Sequence, residues 1–165
     1  MEHVVETTKT KSNARLGKDK EELYATHKKL HGGKPIILLA EDNVDTVYHV
    51  TKALRSCNCS FRFAQDGNQA VDRLLYSPFI DLAVMDFLLP GMDAEQVLTY
   101  VDQSIEKDMR SMYFGRDAPL PVIIMSACDL SAKIWPEYKH FKIQDVWEKP
   151  LKSEDVYFRA RRLVA

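Results

Sequence analysis

Uninterrupted apolar runs at Ile36–Ala40, Leu82–Met85 and Pro121–Met125 are too short for buried helices and match strands covered on both faces. Cys59–Ala64 alternates apolar and polar positions and reads as a strand, and Ile143–Trp147 is a further strand candidate. Amphipathic stretches lie between them. Val44–Ser56 places Val47, Val50, Thr51 and Leu54 on one side. Gln69–Tyr76, entered through an Asp66-Gly67 turn, has Ala70, Val71, Leu74 and Leu75 as its buried face. A long helical pattern runs over Ala94–Met112, and a last helix, capped by Ser153, runs to Val164. The pattern predicts five repeats of strand then helix, the fourth helix being short or broken because Pro136 falls inside Asp129–Phe141. Such alternation demands parallel strands with crossover helices on both faces of a sheet.

Charge changes the picture at the N-terminus. Residues 1–35 carry eight Lys/Arg and five Asp/Glu, whereas the whole chain of 165 residues has 23 against 24 and a net charge of -1. The first twenty residues hold too few large apolar side chains to offset the entropy of ordering. From Asp19 to His31 a short helix is predicted, with Asp19 as cap, Glu22 at capping-box spacing, and Leu23, His27 and Leu30 on one face. Gly32, Gly33 and Pro35 stop it. The expected organisation is a basic tail with a short helix over 1–34 and one domain over 35–165; the alternative is a disordered leader throughout 1–34. A domain of this size buries about two thirds of its unfolded surface. The overall charge balance argues against nucleic acid as the main partner. No apolar run approaches a membrane span, and none precedes Ile36 as a secretory signal would. The odd set of Cys57, Cys59 and Cys128 is read as reduced thiols of a cytoplasmic protein.

In open parallel sheets, ligands collect beyond the carboxyl ends of the strands. The predicted strands end in Glu41-Asp42, Asp86, Ser126 and Lys149-Pro150. Three carboxylates in one crevice repel each other unless a cation lies between them, and magnesium favours such oxygen ligands while keeping waters for a phosphate to replace. A lysine ammonium neutralises phosphoryl oxygens as a compact charge, and the Ser126 hydroxyl can donate to another. These are the means for moving a phosphoryl group onto a carboxylate. Taken singly, Glu41-Asp42 could cap the next helix, Asp86 be a loop acid, Ser126 a turn residue and Lys149-Pro150 an exposed strand exit.

Leu38-Leu39-Ala40-Glu41-Asp42-Asn43, Val84-Met85-Asp86-Phe87-Leu88-Leu89-Pro90-Gly91-Met92-Asp93, Ile123-Ile124-Met125-Ser126-Ala127 and Glu148-Lys149-Pro150-Leu151 together resemble the receiver domain of two-component response regulators. The resemblance runs from about Lys34 to Ala165. It implies an α/β fold, a flavodoxin-like, doubly wound five-stranded parallel sheet of order 2-1-3-4-5 with helices on both faces. It further implies a phosphoacceptor at Asp86 that receives its phosphoryl group from a sensor histidine kinase or histidine phosphotransfer protein. Asp42 would ligate Mg2+ (or Mn2+) directly, Glu41 would support it, usually through water, and Asp86 and the backbone carbonyl of Leu88 would complete the protein ligands. Ser126 and Lys149 would bind the phosphoryl group, Ala127 would leave access to it, and a cis peptide is expected before Pro150. Leu88 and Cys128 would flank the phosphoryl group and tune its hydrolysis; neither orients a water well, so slow loss of phosphate is expected.

Two positions depart from the family. Ala94 replaces a glycine, and Val146 stands where an aromatic switch residue is usual, with Trp147 beside it on the opposite side of the strand. The expected role is a signalling phosphoacceptor rather than an enzyme, with at most slow autophosphorylation from small donors and autodephosphorylation. No DNA-binding output domain is expected after the last helix; a stand-alone receiver that acts by docking on a downstream protein is expected, with a fragment of a hybrid kinase or larger regulator as the alternative. Two other functions compete: a receiver-like interaction module that takes no phosphate, and a haloacid-dehalogenase-type phosphatase. The latter needs a second aspartate two positions after the nucleophile, where this chain has Leu88. Met85, Met92, Met112 and Met125 read as packing residues, and Arg159, Arg161 and Arg162 as a solvated helix face or a docking patch.

Overall fold

The computed structural model describes Glu22 and residues 25–30, 32–77, 79–108 and 118–164. The chain divides into two units, Met1–Lys34 and Pro35–Ala165. In the first, Glu22 and residues 25–30 are helical. Gly32 and Gly33, at φ 64° and 72°, return their amides to the carbonyls of Lys29 (3.2 Å) and Lys28 (2.6 Å), the left-handed ending that only glycine adopts without strain. The polar tail and the remainder of the predicted Asp19–His31 helix lie outside the described residues.

In the second unit, β1 (Ile36–Ala40), β2 (Ser60–Ala64), β3 (Leu82–Asp86), β4 (Leu120–Ser126) and β5 (Phe141–Glu148) form one sheet of order β2-β1-β3-β4-β5. All four pairings are parallel. Helices α1 (Val44–Leu54), α2 (Gly67–Tyr76), α3 (Ala94–Ser104) and α4 (Ser153–Val164) cover both faces. Val50 and Leu54 of α1 and Val156 and Ala160 of α4 pack on Ile37, Leu39, Leu82, Val84 and Ile123. Ala70, Val71, Leu74 and Leu75 of α2 and Val97, Leu98 and Val101 of α3 pack on Leu38, Ala40, Ala83, Met85 and Ile124. Alternate residues of the central strands thus feed two separate cores, which is why those strands are apolar without interruption. No helix among the described residues is long and apolar enough to cross a membrane.

Three expectations need correction. Residues 127–140 contain no helix, so the fourth strand–helix repeat is absent; Pro136 denies the segment a helical hydrogen bond, and its side chains bond outward to α3 instead. Helix α3 ends at Ser104 rather than near Met112. The Lys107 amide turns back on the Ser104 carbonyl (3.0 Å), and Asp108 is held by the Tyr76 hydroxyl (2.5 Å). Residues 109–117, which include Met112 and whose sequence suggests a loop at Gly115 and Asp117, lie outside the described residues. Ser153 is the first helical residue of α4, with the Lys152 carbonyl accepting from the Val156 amide (3.0 Å), and its hydroxyl lies 3.1 Å from His49 Nε2.

Candidate phosphoacceptor site

Strand β1 hands its last sheet bond to Glu41, whose amide donates to the Ala64 carbonyl (2.9 Å). Capping of α1 falls to Asn43: its side chain accepts from the Thr46 amide at 2.9 Å, while its own amide donates to Glu41 Oε1 (3.1 Å). Glu41 and Asp42 are thereby released from helix capping. Glu41 is 2 % exposed, Asp42 points to solvent, and Asp86, the last residue of β3, is 8 % exposed.

Lys149 follows β5, and its amide donates to the Ser126 carbonyl (2.8 Å). From there the ammonium reaches Glu41 Oε2 at 2.8 Å and Asp86 Oδ1 at 3.0 Å. Burial pushes the Glu41 carboxyl above its ordinary range, with Asp86 adding to the rise and hydrogen bonds from Lys149 and the Asn43 amide opposing it. Burial draws Lys149 down, but hydrogen bonds to Glu41 and Asp86 outweigh it and leave the ammonium held above its ordinary range.

One carboxylate oxygen from each of Glu41, Asp42 and Asp86 falls within 4.8 Å of the others. A single ammonium against three carboxylates leaves negative charge uncompensated, and Asp42 has no hydrogen bond or ion pair among the described residues. An all-oxygen donor set with excess negative charge suits a hard divalent cation.

The other predicted positions surround this cluster to different degrees. Ser126 ends β4, is 2 % exposed, and its hydroxyl oxygen accepts from the Cys128 amide (3.0 Å). Ala127, Cys128 and Leu88 are exposed, and the Lys149–Pro150 peptide is cis. Residue 144 sits in a bulge, since Ile143 pairs with Val122 and Asp145 with Ile123. The bulge puts Ile143 and Val146 against the α2/α3 core and Trp147, 2 % exposed, in the α1/α4 core. Val146 and Trp147 thus face opposite layers.

Several structural residues escaped sequence reasoning. A Cβ on Gly67 would lie 2.5 Å from Met92 Cβ and 2.8 Å from its carbonyl oxygen, so the start of α2 abuts the loop after Asp86. Asp66-Gly67 advertised a turn; the close approach was not encoded locally. Buried Asp81 accepts from the Ile36 amide (2.9 Å) and returns its own amide to the Ile36 carbonyl (2.7 Å), aligning the starts of β1 and β3. Arg159 is not merely solvated: its guanidinium grips Asp145, which also accepts from Trp147 Nε1 at 3.0 Å. The three cysteines are free thiols, and burial raises the pKa of Cys57 and Cys59, keeping them protonated.

Strand order, parallel pairing and the position of the acidic cluster at the strand ends settle the architecture. The chain has the fold of a response-regulator receiver domain. No family model matches it. It is 31 % identical over 130 residues to the transcriptional regulatory protein TctD of Salmonella typhimurium, in strains SL1344 and LT2 alike, across 78 % of this chain and 51 % of TctD. The chain therefore spans about half the length of the curated relatives it matches. Among solved structures, the Francisella response regulator 1452 receiver domain aligns with TM-score 0.58 at 21 % identity, over 79 % of this chain and 97 % of that one. The receiver domain of the sensor histidine kinase PA1611 from Pseudomonas aeruginosa aligns with TM-score 0.59 at 23 % identity, over 79 % and 98 %; its structure has a magnesium ion coordinated in the active-site cleft.

Proposed function

We propose that this receiver accepts a phosphoryl group on Asp86 from the phosphohistidine of a sensor kinase or phosphotransfer protein and switches its binding to a downstream protein. The observation that carries this reading is the Lys149 ammonium seated between Asp86 Oδ1 and Glu41 Oε2, two carboxylates that cluster with Asp42. In the transfer, an Asp86 oxygen forms the new P–O bond as the P–N bond to the donor imidazole breaks. Asp42, Glu41, Asp86 and the Leu88 carbonyl are the groups assigned to Mg2+ (or Mn2+), which supplies charge neutralisation to the incoming phosphoryl oxygens. Lys149 and the Ser126 hydroxyl serve as the phosphoryl partners, and small Ala127 leaves the approach open. On this reading the protein works in the cytoplasm as a phosphorylated signalling component, not as a turnover enzyme, and residues 35–165 form the acting domain.

Incubation with magnesium and acetyl phosphate, read by intact mass, is expected to add one phosphoryl group to the wild type and none to Asp86→Asn. An unmodified wild type would overturn the reading, and continuous phosphate release from unrelated phosphomonoesters would replace it with a phosphatase.

A further inference from the structure

The segment 127–140, which replaces a helix between β4 and β5, is a strap laid along α3. Within it, one backbone–backbone bond exists among the described residues, from the Lys133 amide to the Leu130 carbonyl (3.0 Å). Side chains hold the rest. Asp102 of α3 accepts from the His140 amide (2.8 Å) and the Lys139 amide (3.0 Å), and its Oδ1 lies 3.0 Å from His140 Nδ1. Lys139 pairs with Glu106 just past the end of α3, and Lys133 with Glu95 in its first turn (2.5 Å).

The strap touches the phosphoacceptor site at two points. At its start, the Cys128 amide donates to Ser126 Oγ. At its middle, the Trp135 ring meets Phe87 edge-on, with centroids 6.0 Å apart at 85°. Lys133 Nζ lies 5.5 Å from the Phe87 centroid and 5.0 Å from that of Trp135. Phe87 is the residue directly after Asp86, and its backbone is tied to Met125 O (2.7 Å) and to the Ala94 amide (2.9 Å). On β5, Val146 offers no aromatic ring, and the Trp147 ring lies in the opposite core.

We propose that the strap reads the state of Asp86 in this chain and that Trp135 leaving Phe87 is the step that releases it from α3. This rests on the phosphoacceptor reading above. When the Ser126 hydroxyl turns to a phosphoryl oxygen, the Cys128 amide loses or follows its acceptor, which pulls the strap at its start. The contacts that oppose release are the Asp102 hydrogen bonds, the ion pairs of Lys133, Lys139 and His140, the cation–π contacts, and Leu130, Trp135 and Tyr138 packed on the α2/α3 core, so the released form gains population only where the state of Asp86 favours it by more than these contacts hold. Release leaves Glu95, Asp102 and Glu106 without their Lys133, His140 and Lys139 partners, as an acidic stripe. Trp135 is a positioning residue in this scheme, acting through Phe87.

Hydrogen exchange on the full chain, with magnesium alone and with magnesium plus beryllofluoride, tests it, while 19F NMR reports whether the fluoride adduct forms. Amides of residues 137–140 are expected to exchange about tenfold faster or more in the adduct, while β1 and β3 stay protected. Trp135→Ala is expected to show that fast exchange without beryllofluoride and still to form the adduct. A bound 19F signal with unchanged strap exchange in the wild type overturns the proposal and leaves the phosphoacceptor reading intact. Absence of a bound signal in the wild type overturns both.

Discussion

The ammonium of Lys149 donates to Glu41 Oε2 at 2.8 Å although the two residues stand 108 positions apart in the chain. It also pairs with Asp86, so one cation compensates two carboxylates whose side chains are 1 % and 11 % exposed.

Removal of that cation strands both acids. Lys149→Met is expected to lower unfolding free energy by about 3 kcal/mol, the lower end for breaking a buried pair, because the lysine side chain is itself 21 % exposed. Magnesium is expected to restore part of the loss by replacing the missing charge. Urea denaturation with and without magnesium measures both, and a variant as stable as wild type in metal-free buffer would refute the assignment.

Glu41 behaves in the opposite sense. Its folded pKa lies above the ordinary 4.5, so the folded state holds the proton more tightly than the unfolded chain. Ionisation therefore costs folding free energy from about pH 4.5 upward, and the cost is complete once pH passes the folded value. Glu41→Gln is expected to be more stable than wild type at pH 7 without metal, with the difference fading as pH falls to 4.5. The same variant is expected to bind magnesium more weakly. Paired thermal melts across this pH range decide it; a Gln variant less stable at pH 7 contradicts the sign.

Gly67→Ala is expected to destabilise the protein by about 1–3 kcal/mol, as overpacking does, because the new methyl would overlap Met92 backbone that cannot retreat freely. The signature is a lower denaturation midpoint, with less phosphoryl uptake as the loop after Asp86 is displaced. An unchanged midpoint would show that the contact yields easily.

Neither Leu88 nor Cys128, the exposed positions two beyond Asp86 and Ser126, offers a group that orients an attacking water. The aspartyl phosphate is expected to persist, and Leu88→Asn to shorten its lifetime several-fold. Phosphate release from isolated, phosphorylated protein gives the answer directly; rapid loss in the wild type would contradict the expectation.

Local sequence was enough for what depends on neighbours along the chain. Apolar runs such as Ile36–Ala40 identify strands covered twice because two faces each demand apolar side chains, and the alternation with amphipathic stretches then leaves few topologies. The strand-end residues Glu41, Asp42, Asp86, Ser126 and Lys149 could be named for the same reason: polarity at the end of such a strand stands out against its interior. What required tertiary structure were events between distant segments. Pro136 announced a weak fourth helix, but the bulge at residue 144, the course of 127–140 along α3, and the shortening of α3 depend on partners such as Asp102 and Tyr76 that sequence spacing does not reveal. So does the space denied at Gly67 by Met92. A chain writes its own periodicity into its composition, but which side chain stands within 3 Å of another is decided only when the sheet brings its strands side by side.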